Sequence, residues 1–266
     1  MWDQHMHCMF SGDSDADPVL MIKSAINKGL DGICFTDHLD YDYKEEPGLF
    51  DLDIAAYEKR IKRLAIALKE KGCPVNIHWG IEIGLQPHIT DKNNEVTKKY
   101  PFDLVIGSSH VVNGIDPYYP VFYKGKTEHE AYTEYFESIL DNLHSGADFD
   151  VYGHYVVRYG PDKNKYYSYE KYADIIDAIL KEIISQGKGI ELNTAGFKYG
   201  LGHPNPTEDV LKRYHELGGE IITVGADAHK PEHVAYDFDK VSNILKDAGF
   251  MYYTVFENRV PAFIKL

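Results

Sequence analysis

The sequence predicts an α/β fold: one domain over residues 1–266, closed as a barrel of seven βα units of the TIM-barrel kind. Three observations predict it. Short apolar runs alternate with helix-like stretches along the chain, as in a parallel sheet covered by helices. Metal-ligating residue types follow nearly every apolar run, whereas an open doubly wound sheet would collect its functional residues at one switch point. No glycine-rich nucleotide fingerprint follows the first run, and 266 residues suit a single barrel.

Taken in order, the strands are expected at Trp2–His7, Gly32–Thr36, Val75–Ile83, Leu104–Ser108, Val151–His154, Gly189–Asn193 and Ile221–Gly225. Between them, Pro18–Lys28, Ile54–Lys71, Glu128–Leu143, Tyr169–Ser185, Pro206–Leu217 and His233–Ala248 place apolar residues at helical spacing. Gly29, Gly72, Gly146 and Gly218 stand where helix C-terminal caps belong. Two stretches, Leu85–Thr97 and Val111–Lys126, read as loops able to cover a pocket. The second carries Tyr118, Tyr119 and Tyr123.

Composition narrows the partners. A net charge of −14 argues against nucleic acid and anionic membrane. It leaves room for a small anionic substrate, because bound divalent cations reverse the local field. No apolar run approaches the roughly 20 residues that span a bilayer. The start, Met1 to His5, has neither a basic region nor a hydrophobic signal core. Cys8, Cys34 and Cys73 show no zinc-ribbon spacing, so a cytoplasmic protein is expected, with Cys8 as buried filler. Nothing in the sequence reads out an oligomeric state.

The chemistry lies at the strand ends. His5 and His7 are two apart and share a strand face, and so do Asp227 and His229. The second strand runs into His38, the fourth into His110 and the fifth into His154. Glu82 sits inside Trp79-Gly-Ile-Glu-Ile-Gly84, where a carboxylate needs a cation or a partner. Each histidine alone reads as structural. Six of the thirteen histidines falling just after expected strands read as a metal centre. A His and carboxylate set without cysteine suits catalytic Zn, Mn or Fe.

In these residues the chain resembles the polymerase and histidinol phosphatase (PHP) superfamily. His5-x-His7-x-x-x-Ser11-x-Asp13 is similar to its first motif. Thr36-Asp37-His38, Glu82, Ser109-His110, Gly153-His154 and Asp227-x-His229 are similar to the rest, in order. The segments Gly189–Gly196, Leu211–Gly219 and Gly225–Glu232 resemble the histidinol-phosphatase branch. The resemblance implies a distorted (β/α)7 barrel, in agreement with the strand count, with a trinuclear site at the C-terminal ends of the strands. The first metal would take His5, His7, Glu82 and Asp227. The second would share Glu82 and take His110 and His154, and the third would take Asp13, His38 and His229.

The activity this implies is hydrolysis of L-histidinol phosphate to L-histidinol and phosphate, within histidine biosynthesis. A hydroxide held between two cations is the expected nucleophile, with Glu82 and Asp227 at the reacting centre. The resemblance also implies phosphate contacts from Arg158 and from Lys198, where relatives often carry arginine. Lysine is a point charge without the bidentate fork. Lys230 is a further cation nearby. Asp40 or water would protonate the leaving alkoxide. Glu191, Asn193 and Ser109 are candidates for orienting ligands. Two other readings stay open: a phosphoesterase of nucleotides or another small phosphomonoester, and a barrel that binds metal or ligand without catalysis. Ser11-Gly12-Asp13 departs from the Ser-Asp-Gly associated with nucleotide-directed relatives.

Overall fold

The computed structural model describes residues 1–154 and 167–266. Its strands are β1 (Trp2–Asp3), β2 (Gly32–Phe35), β3 (His38–Leu39), β4 (Asn76–Trp79), β5 (Ile81–Gly84), β6 (Val105–Ser108), β7 (Val151–Tyr152), β8 (Gly189–Asn193), β9 (Ile222–Gly225), β10 (Tyr252–Glu257) and β11 (Val260–Lys265). Its helices are α1 (Pro18–Asn27), α2 (Ile54–Glu70), α3 (Thr90–Lys99), α4 (Glu128–His144), α5 (Ala173–Ser185), α6 (Ala195–Lys198), α7 (Glu208–Glu216) and α8 (Val241–Asp247).

All pairings among β1 to β9 are parallel, in the orders β1-β2-β4 and β3-β5-β6-β7-β8-β9. Two of the expected strands change partners partway. Gly80 separates β4 from β5, and a Cβ there would sit 2.6 Å from the Leu104 carbonyl oxygen. Glycine lets the backbone cross from one sheet to the other at that point. The ring closes between the first and last strands. Gln4 N–H donates to Val224 O (2.9 Å), Asp227 N–H to His5 O (2.9 Å) and His7 N–H to Ala228 O (2.8 Å). Counting β2 with β3 and β4 with β5, seven strand positions form a distorted barrel, as the alternating pattern predicts.

Alternation along the strands sorts the core. Glu82 is in register with Ile106, and Ile106 with Val151, so all three face the barrel interior. Ile106 and Val151 join Cys34, Leu104 and Phe256 in a small inner cluster. Ile81, Ile83, Ile190, Leu192, Ile222 and Val224 face outward into the large cluster under the helices. The amphipathic helices follow from their caps. Asp17 accepts from Val19 N–H with Pro18 at the first helical position, and Thr127 with Glu130 forms a capping box on α4. The four expected cap glycines all have positive φ, from 68° to 93°.

Three expectations change. Leu85–Thr97 is not a covering loop; most of it is a 3₁₀ turn and α3, packed beside the α4 terminus. Its buried positions are Thr90, Asn93, Val96 and Thr97, so hydrogen bonding replaces the apolar stripe that would have revealed it. The helix expected from His233 begins only at Val241, after left-handed residues Ala235 and Asp237. The antiparallel hairpin β10–β11 was not anticipated. It packs against β9, and Phe256 reaches the inner cluster.

Candidate metal centre

Glu82 sits in the middle of the site. Its carboxylate is fully buried and its two oxygens serve different sets of histidines. Oε2 lies 3.1 Å from His5 Nε2, 3.4 Å from His7 Nε2 and 3.1 Å from His38 Nδ1. Oε1 lies 3.2 Å from His110 Nε2 and 3.0 Å from His154 Nε2, and accepts from Ser108 Oγ at 2.7 Å. Burial alone would raise this carboxyl's pKa. The charges of His5, His38 and His110 override it and hold Glu82 well below the usual carboxylate range.

Asp227 closes the first group, 3.5 Å from His7 Nε2 and 3.9 Å from His5 Nε2. Its backbone is left-handed at φ 50°, a conformation aspartate tolerates better than most residues. On the mouth side, Asp13 Oδ2 lies 3.0 Å from His229 Nε2 and 3.7 Å from His38 Nε2. His7, His38 and His229 stack with ring centroids 4.1–4.2 Å apart along the pair contacts. Burial and its neighbours His38 and His229 push His7 well below the ordinary imidazole value, so its lone pair stays available.

The histidines are held from behind. His5 Nδ1 meets Glu191 Oε1 at 2.7 Å, and Glu191 Oε2 accepts from His154 N–H (3.0 Å) and Asn193 Nδ2 (3.1 Å). His110 Nδ1 meets Asp40 Oδ1 at 2.6 Å. Burial lowers His110, but the charges of Asp40 and Glu82 carry it well above the imidazole norm. His7 Nδ1 meets Ser11 Oγ (3.1 Å), which donates to Asp37 Oδ1 (2.8 Å). Gly84 and Gly225 leave room for these supports: a Cβ would lie 2.0 Å from Asp40 Oδ1 at the first and 2.3 Å from Glu191 Oε1 at the second.

Direct hydrogen bonding does not satisfy this cluster. His38 Nδ1 and His229 Nε2 lie close to carboxylate oxygens but lack hydrogen-bond geometry, and Asp40 Oδ2 is buried without a hydrogen-bond partner. The His5 and His7 Nε2 atoms converge to 3.1 Å. Among the described residues, four ligand groups could hold a cation: His5 with His7 and Asp227; His5 with Glu82 and His154; His7 with His38 and His229; and His38 with Asp40 and His110. Converging lone pairs and orphaned buried atoms fit divalent cations, and the absence of thiolates fits catalytic metals.

The centre floors a cavity of about 660 Å³. All nine residues read from the strand ends meet in this one cluster. Lys198 lines the same cavity, where its Nζ donates to Asp227 O at 2.8 Å. Lys230 and His233 line it too. Asp40 stands against His110 in place of open solvent. Arg158 lies outside the described residues. Asp37, Ser11, Ser108 and Asp116 were not singled out for roles in the sequence. Asp37 was visible only as part of a motif, and its pull on Ser11 and Cys8 appears only in the fold.

Comparisons with known proteins place the fold in a family. The PHP domain model matches residues 3–195. A histidinol-phosphatase of Lactococcus lactis is 33% identical over 93% of this chain and 91% of its own. A Clostridium acetobutylicum protein named "Probable histidinol-phosphatase" is 32% identical over 93% of this chain and 92% of its own. The crystal structure of histidinol phosphate phosphatase from Lactococcus lactis, complexed with zinc, L-histidinol and phosphate, superposes with a TM-score of 0.87 at 31% identity, covering 98% of each chain. This chain belongs to the PHP domain family, in its histidinol-phosphatase branch.

Proposed function

We propose that the chain is a metal-dependent phosphomonoesterase that hydrolyses L-histidinol phosphate to L-histidinol and phosphate. The observation that carries the chemistry is Glu82, whose two oxygens face separate histidine groups in a buried cluster with orphaned ligand atoms. The substrate reading is supported by the relative that holds zinc, L-histidinol and phosphate.

Three divalent cations are proposed. His5, His7, Glu82 and Asp227 would hold the first, Glu82 with His110 and His154 the second, and Asp13, His38 and His229 the third. When bound, such cations neutralise phosphoryl oxygens and acidify water. The protein's own residues do the rest. Glu82 sets the spacing between the histidine groups. Glu191 and Asp40 fix the rings of His5 and His110 through their far nitrogens, the usual support for metal-bound imidazole. Asp40, held against His110, acts as an orienting acceptor ahead of any role in protonating the leaving group. Lys198 and Lys230 give the mouth a positive side toward the phosphate, and Arg158 is proposed to join them.

Two measurements test this reading. Metal-loaded protein is expected to release phosphate from L-histidinol phosphate with a kcat/KM above that for AMP, a 5′-phosphorylated oligonucleotide or glycerol phosphate. Greater turnover of AMP or the oligonucleotide would reassign the substrate, and no turnover of any ester would end the enzyme reading. Separately, Glu191→Gln is expected to weaken metal affinity about 10–100-fold. Titration against a competing chelator reads this directly, and unchanged affinity would remove Glu191 from its supporting role.

A further inference from the structure

The mouth of the barrel is bipolar. Going round the ring, Lys198, Lys230 and His233 follow β8 and β9. On the far side, Tyr43 follows β3, and Asp116, Tyr118 and Tyr119 follow β6. The cavity thus has one wall with two lysines and, across it, a wall of tyrosines around a carboxylate.

That carboxylate is built into place. Asp116 Oδ2 accepts from the Tyr43 hydroxyl at 2.8 Å, and Oδ1 from Tyr118 N–H at 2.7 Å. Its own N–H donates to Glu45 Oε1 at 2.8 Å, while Glu45 Oε2 is buried with no hydrogen-bond partner. A carboxylate offers about four acceptor positions, and these two bonds leave Asp116 with capacity facing the cavity. Two carboxylates held close in a partly buried loop carry an electrostatic cost that a bound cation would relieve. Tyrosine faces beside them attract cations and stack on flat rings.

We propose that Asp116 is a specificity-determining residue that accepts an N–H from the organic part of the substrate, so that the site selects phosphomonoesters carrying a nitrogen cation. This rests on the phosphomonoesterase reading for the position of the phosphate. The shared chemistry is an N–H donor that is cationic or becomes so on protonation, and two groups of L-histidinol supply it: the ammonium and the imidazole ring.

Calorimetric binding of alcohols to the metal-loaded protein tests the proposal without hydrolysis. The probes are L-histidinol, imidazolylpropanol (which lacks the amine) and phenylalaninol (which lacks the ring N–H). The wild-type protein is expected to bind L-histidinol at least tenfold more tightly than one of the two analogues, and that analogue identifies the group engaged. Asp116→Asn is expected to erase the difference. Equal binding of all three alcohols by the wild type overturns the proposal, and this comparison needs no variant. An equal loss for all three in Asp116→Asn also overturns it. Discrimination without phosphate release from L-histidinol phosphate supports this subsite and sinks the phosphatase reading. Turnover without discrimination sinks the subsite alone.

Discussion

Glu82→Gln is expected to abolish most activity while leaving the barrel folded. The substitution keeps the shape and one oxygen but removes the negative charge faced by five histidines. Losing a contact that merely supports a metal ligand costs about 10–100-fold in metal affinity or activity. Loss of the charge shared by two histidine groups is expected to reach the top of that range or beyond in kcat/KM, with a matching fall in metal content per chain. Steady-state kinetics and elemental analysis of the same preparation measure both. Ser108→Ala is the comparison, since it removes a single hydrogen bond to Glu82 Oε1 and should cost about 1.5–3 kcal/mol at most. A Glu82→Gln protein with wild-type activity and full metal content would refute the bridging role.

Chelation is expected to be the second large effect. Without cations, the buried His38, His229 and Asp40 atoms have no hydrogen-bond partner, and each such atom costs about 1–3 kcal/mol. Treatment with a strong chelator should remove turnover, and Zn²⁺ or Mn²⁺ should restore it. Stability should follow the same course. Free cation at a hundredfold excess over its Kd stabilises a folded protein by about 2.7 kcal/mol, which calorimetry resolves as a higher Tm. Imidazole binds cations only when neutral, so acid should imitate the chelator. Turnover that persists after the metal has been stripped, or a Tm indifferent to metal, would contradict the reading.

Much of this architecture was legible in the sequence because two periodicities reinforce each other. Apolar runs such as Ile81 and Ile83, or Ile190 and Leu192, bury their outward faces, and the intervening Glu82 and Glu191 then point inward together. Ligand types just after strands converge for the same geometric reason. The less legible parts depend on partners distant in sequence. The helix Thr90–Lys99 hides behind buried threonine and asparagine, whose hydrogen bonds to Ser145, Asp148 and Gly84 no local pattern announces. The hairpin Tyr252–Lys265 carries exposed Tyr252, Val260, Phe263 and Ile264, which obscure its alternation. Asp116 looks like an ordinary loop acid until Tyr43, 73 residues earlier, is seen donating to it.

The closure of the ring has a consequence for how the centre is made. His5 and His7 follow the first strand, while Asp227 and His229 follow the last strand of the ring, and backbone bonds such as Asp227 N–H to His5 O join the two segments. A chain leaving the ribosome from its N-terminus therefore lacks Asp227, the last member of its first ligand group, until residue 227 has been made. Because sites of this kind do not preexist in unfolded chain, metallation belongs after Asp227 has been made, and the cation that arrives then fastens the start of the barrel ring to its end.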